Sequence, residues 1–153
     1  MGYTMSKTTE IKEALNVLVE TNLTGYVKLP DSYDSLDNPT IQLDKGFSVA
    51  YGTATNADDE FCKGTIRISR TFDIFLSNVY LANLNTNRRE DLEDSLMNDA
   101  TTLIGQIQCN QTLFGASINA EYSSDTGIEY LTNDRKQFIT IILTVSVDYQ
   151  EVI

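Results

Sequence analysis

The sequence predicts an α+β fold, a mostly antiparallel or mixed sheet with two very long strands and with helices packed on one face. Three observations carry that reading. Residues 138–149, FITIILTVSVDY, put Ile139, Ile141, Leu143, Val145, Val147 and Tyr149 at alternate positions without a break, as a strand with one fully buried face requires. Residues 64–81 repeat the pattern, with Ile66, Ile68, Phe72, Ile74 and Leu76 on one side and Arg67, Ser69, Thr71 and Asp73 on the other. Two further stretches, 8–22 and 87–108, space their apolar residues as helices do. A dozen strand residues at ~3.3 Å each span roughly 40 Å. A compact domain of this size has a radius of gyration of about 15 Å, so such a strand crosses its whole width and can project beyond it.

In chain order, residues 1–7 read as a flexible leader and residues 1–153 as one domain. The first helix shows Ile11, Ala14, Leu15, Leu18 and Val19 on one stripe, with Ser6, Thr8 or Thr9 available as its cap and Gly25 ending the pattern. Residues 26–29 form a short strand stopped by Pro30, and a polar loop runs from there to Pro39. Residues 41–51 alternate as a strand, broken only by Lys45, with Gly46 marking a bulge. The Thr-, Asn- and Asp-rich residues 52–63 read as the loop to the second strand of the pair. After residue 74 that strand turns apolar on both sides through Phe75, Val79, Tyr80 and Leu81, which implies a bulge or cover on both faces.

Asn87 and Glu90 have the spacing of a capping box, and Leu92, Leu96, Ala100, Leu103, Ile104 and Ile107 make the buried stripe of the helix that follows. The opposite face carries Glu90, Asp91, Glu93, Asp94 and Asp99. Ala116, Ile118, Ala120 and Tyr122 alternate as a strand, residues 123–127 turn, and residues 128–131 pair with it or continue it. The polar residues 132–137 lead into the last long strand. On that strand, the second face grades from Phe138, Thr140 and Ile142 to Thr144, Ser146 and Asp148, covered at its start and wet at its end.

Charge and composition exclude more than they assign. The chain has 22 acids, 11 bases and no histidine, for a net charge of −11. Ten acids stand against five bases in residues 1–63, six against four in 64–108, and six against two in 109–153, so acidity belongs to the whole surface. Such a surface argues against gripping DNA or anionic lipid, which takes clustered Lys and Arg. Without histidine, Ser-His-Asp and Cys-His nucleophile systems are excluded, and neither glycine-rich phosphate motif occurs. The sequence therefore predicts no enzyme and no catalytic, cofactor or metal residues.

Cys62 and Cys109 read as isolated reduced thiols. Asp31, Asp34 and Asp37 lack the spacing of a calcium loop and read as a solvated loop. Met1-Gly2-Tyr3-Thr4-Met5-Ser6 fits the short myristoylation pattern but has no polybasic second signal, and no stretch is apolar enough for a membrane span. The acids that remain as channel-lining or partner-contact candidates are Asp58, Asp59 and Glu60 in the loop and Glu90, Asp91 and Asp94 on the helix.

An amphipathic first helix, a two-stranded unit with a polar loop over residues 41–81, a central helix over 87–108 and a last strand ending VSVDYQEVI together resemble the tail terminator and head-tail joining (neck) proteins of tailed bacteriophages. The resemblance implies a structural virion protein, made in the host cytoplasm and built into the tail or neck. It implies a homo-oligomeric ring, commonly of six copies, that caps the tail tube and meets a neck or head-completion protein. DNA passes through the hole without specific binding, and no membrane or cofactor is involved. A tail-tube or other neck component shares the same composition. From another class, an acidic DNA-mimic inhibitor or a monomeric binding protein is the alternative, and it calls for carboxylates lined up on one face.

Overall fold

The computed structural model describes residues 6–29, 45–56, 64–80, 86–133 and 136–152. Helix α1 (Lys7–Asn22) is capped by Ser6, which has an extended backbone and whose hydroxyl oxygen accepts the Thr9 N–H at 3.2 Å. Ser6 and Lys7 thus belong to the helix and its cap rather than to a flexible leader. Strand β1 (Val27–Lys28) follows, then β2 (Gly46–Asn56), β3 (Thr65–Tyr80), α2 (Thr86–Cys109), β4 (Asn119–Asp125), β5 (Glu129–Asn133) and β6 (Lys136–Val152). The sheet order is β1-β2-β3-β6-β4, with β5 pairing β6 ahead of β4. Among the described strands only the β1–β2 pair is parallel. The two long strands predicted from alternation are β3 and β6, paired along all 16 residues of β3 from Thr65 opposite Val152 to Tyr80 opposite Gln137.

Opposed residues on paired strands share a face. On one face Phe72, Ile74 and Leu76 of β3 meet Val145, Leu143 and Ile141 of β6, and both described helices pack there through Ile11, Leu15, Leu18 and Val19 of α1 and Leu96, Ala100, Leu103 and Ile107 of α2. On the other face Phe75 and Phe138 are buried with Leu29 in a second, smaller cluster joined by Val79, Leu131 and Ile142. The mixed pattern after residue 74 is therefore cover on both faces and not a bulge, because the β3–β6 register runs through it unbroken.

Several boundaries differ from the sequence reading. Strand β2 begins at Gly46 and runs on to Asn56, so residues 52–56 are strand and not loop: β3 is long enough to pair them, Ala54 with Arg70 and Asn56 with Ile68, whatever their polarity. Residues 41–44 and 57–63 lie outside the described residues. The bulge in β2 falls between Tyr51 and Ala54 and not at Gly46. A Cβ on Gly52 would land on Thr71 Oγ1 and 2.7 Å from the Thr71 carbonyl oxygen, so the chain needs glycine there. Gly46 instead leaves room for Leu29, whose Cδ1 lies 2.9 Å from where its Cβ would be.

Helix α2 starts at Thr86, which puts Asn87 inside the helix rather than at its cap. Strand β4 starts at Asn119 and not Ala116, because Leu113, Phe114 and Gly115 turn the chain with φ of 47°, 59° and 89°. It then continues through Asp125 where a turn was predicted, absorbing one extra residue between Tyr122 and Ser124, and the return strand β5 pairs with β6.

Candidate assembly surfaces

The half of the second sheet face beyond Phe75 is polar. Opposed pairs run Asp73 with Thr144, Thr71 with Ser146, Ser69 with Asp148 and Arg67 with Gln150, and β4 adds Glu121 beside Ser146 and Asn119 beside Asp148. The Thr144 hydroxyl donates to Asp73 Oδ1 at 2.9 Å, and Arg67 Nη2 stands 3.9 Å from Asp148 Oδ2. Hydroxyls and amides dominate, with one guanidinium among three carboxylates. Both described helices lie on the opposite face.

Glu90, Asp91 and Asp94 are exposed in the first turns of α2. Arg89 ties that end of the helix to β5, its Nε donating to the Tyr130 hydroxyl at 2.8 Å with the guanidinium 4.5 Å from the ring centroid, and it stands 3.5 Å from Glu93. Asp58, Asp59 and Glu60 lie outside the described residues, but the strand residues before and after them, Asn56 and Thr65, are at the Val152 end of the sheet. Helix α2 begins soon after Tyr80, at the other end of a strand roughly 50 Å long. Asp99 is a correction to the outward acidic face: it is half-buried and accepts the Tyr26 hydroxyl at 2.7 Å, while Asn78 Nδ2 donates to the same hydroxyl at 3.2 Å.

No protein-family model matches the chain, and no curated protein matches its sequence. The functional reading therefore stands on geometry and on the resemblance in element order. Among the described residues no group of three or more Cys, Asp or Glu is placed to hold a metal ion, and no helix is long and apolar enough to cross a membrane. Cys109 is an exposed free thiol, and Cys62 lies outside the described residues.

Sequence reasoning missed three features. The first is a polar network where the buried face runs out: the Tyr149 hydroxyl bonds Thr8 Oγ1 at 2.8 Å and accepts Arg70 Nε at 3.1 Å, Arg70 Nη1 donates to the Gly52 carbonyl at 3.0 Å, and Glu151 Oε1 accepts both the N–H and the hydroxyl of Thr8 at 2.8 and 2.9 Å. Arg70 interrupts the even-numbered apolar series of β3, and that break is the signal that marks it. Burial raises the Glu151 pKa, but the hydrogen bonds from Thr8 and Lys7 and the nearby Lys7 ammonium outweigh it and hold the group below the ordinary Glu value. The second is the left-handed turn, which buries Leu113 and leaves Phe114 63% exposed. The Asn110 side-chain oxygen accepts the Phe114 N–H at 3.1 Å and steadies it.

The third is the outer edge of the sheet. Beyond Phe47 no described strand pairs with the outer side of β2, and none pairs with the outer side of β4, where the exposed Gln108 side-chain oxygen accepts the Tyr122 N–H at 3.0 Å. Tyr51 on β2 is 46% exposed, its ring tilted against Phe72 with the Lys12 ammonium 4.8 Å above it. On β4 the Tyr122 hydroxyl donates to Asp125, which raises the tyrosine pKa.

Proposed function

We propose that this chain is a structural virion protein of a tailed phage, a tail terminator whose ring caps the tail tube and joins it to the neck while DNA passes through. The observation that supports this reading is the two-sided sheet. Helices cover one face of the long β3–β6 pair, and the far half of the other face is a polar surface of hydroxyls and amides. A ring with its helices outward turns that surface to the hole. Arg67 stands there against Asp73, Asp148 and Glu121, so the wall offers passing phosphates no basic cluster to hold them.

In this arrangement Glu90, Asp91 and Asp94 sit on the helical side, away from the hole, as contacts for the tail-tube or neck protein. Asp58, Asp59 and Glu60, outside the described residues, remain candidates for contact with a second neighbour. Electron microscopy of the purified protein tests the reading: annular particles with an open centre are expected. Long tubes would favour a tail-tube component, and tight DNA binding with a steep salt dependence would sink the conduit.

A further inference from the structure

Strand β2, GFSVAYGTATN, carries no charged residue in 11 positions, in a chain where 22% of residues are charged. Edge strands of natural sheets are commonly protected by charge, by proline or by being very short, because an open row of N–H and C=O groups templates another strand. From residue 48 to residue 55 β2 shows none of these protections, and no described strand pairs with that side. Its bulge at residues 52–53 is the one irregularity.

We propose that this edge is occupied by β4 of a second copy of the chain, so that copies join head to tail through a shared antiparallel ladder. Three properties of the two edges fit one another. First, direction: β2, β3, β6 and β4 alternate up and down, so β4 of a neighbour set beside β2 in the same orientation runs antiparallel to it. Repeating that step keeps every helix on the same side and gives a heterologous contact, the kind that closes into a ring when the rotation closes. Second, length: the seven residues of β4 match the eight positions of β2, residues 48–55, that no described strand pairs on that side.

Third, faces. Setting Tyr51 opposite Tyr122 of the next copy puts Val49 opposite its Asp125, Ala50 opposite its Ser124, Ala54 opposite its Ala120 and Thr55 opposite its Asn119. Every pair then joins residues of the same sheet face, because each strand carries one extra residue at this level, between Tyr51 and Ala54 in β2 and between Tyr122 and Ser124 in β4. The exposed Tyr51 ring gains an aromatic partner, and Asp125 of the next copy arrives on the face where the Lys12 ammonium stands. Phe114 and Ile118, 63% and 46% exposed just ahead of β4, are carried toward the far end of the neighbour's β2.

This inference deepens the ring reading and rests on it, and the test separates the two. In a Cys62→Ser, Cys109→Ser background, Thr55→Cys combined with Asn119→Cys is oxidised and run on a non-reducing gel, alongside each single variant, while solution mass is followed across a concentration series. A ladder of covalent multimers from the double variant, with neither single variant cross-linking, is the expected result. Ala54→Glu, which sets an unpaired carboxylate into the shared ladder opposite Ala120 of the next copy, raises the concentration needed for assembly at least tenfold with an unchanged circular dichroism spectrum, and Ala54→Ser does not. A covalent dimer from Thr55→Cys alone would overturn the proposal in favour of β2 pairing with itself. Assembly that persists in Ala54→Glu without cross-linking of the double variant overturns this pairing and leaves the ring standing. A monomer at every concentration overturns both.

Discussion

Glu151, near the end of the chain, holds the first turn of α1. Its carboxylate accepts two hydrogen bonds from Thr8, where the helix leaves N–H groups unpaired and its dipole favours a negative charge. Glu151→Gln is expected to cost about 1 kcal/mol at pH 7. Because the folded-state pKa is lowered, the contact contributes fully above the unfolded Glu pKa of about 4.3 and is lost as pH falls through the lower folded value. The difference between wild type and Glu151→Gln should therefore shrink between pH 7 and pH 3 in urea unfolding; a difference that stays constant would remove the charge from the account. Backbone conformation gives two more expectations. Gly52→Ala pushes a methyl group into Thr71, backbone included, and should cost about 1–3 kcal/mol. Phe114→Gly relieves a left-handed bulky residue whose side chain is mostly in solvent, and should stabilise the isolated subunit by about 0.5–1 kcal/mol in thermal melts.

At the scale of elements, β6 carries the fold, pairing with β3, β4 and β5 and lining the main core with six residues from Ile139 to Tyr149. Leu143→Ala should cost about 2–5 kcal/mol, whereas Val17→Ala on the exposed side of α1 should stay within about 0.5 kcal/mol. This hierarchy was legible in the sequence, since a strand buried on one face must alternate and a helix lying on a sheet must show a stripe. The second half of β2 was not legible. Thr53, Thr55 and Asn56 have the composition of a loop, and only the length of β3 makes them strand. The turn at Leu113 and Phe114 was hidden for a related reason, because neither residue type announces a positive φ. The network of Thr8, Arg70, Tyr149 and Glu151 joins positions up to 143 residues apart, which no local pattern reports.

At the scale of the whole molecule, acidity and shape act together. A net charge of −11 spread along the chain keeps copies apart by long-range repulsion, so assembly needs a contact that works at short range. In the proposed ring the uncharged edge of β2 is that contact. Salt screens the repulsion over about 10 Å at 0.1 M, so raising ionic strength should favour the assembled form. The most direct measurement is the solution mass of the purified chain by light scattering after size exclusion, across a concentration series at moderate salt. A single closed species near six times 17.1 kDa is the result the ring requires. A mass that stays at one chain, or that grows without limit, would contradict it.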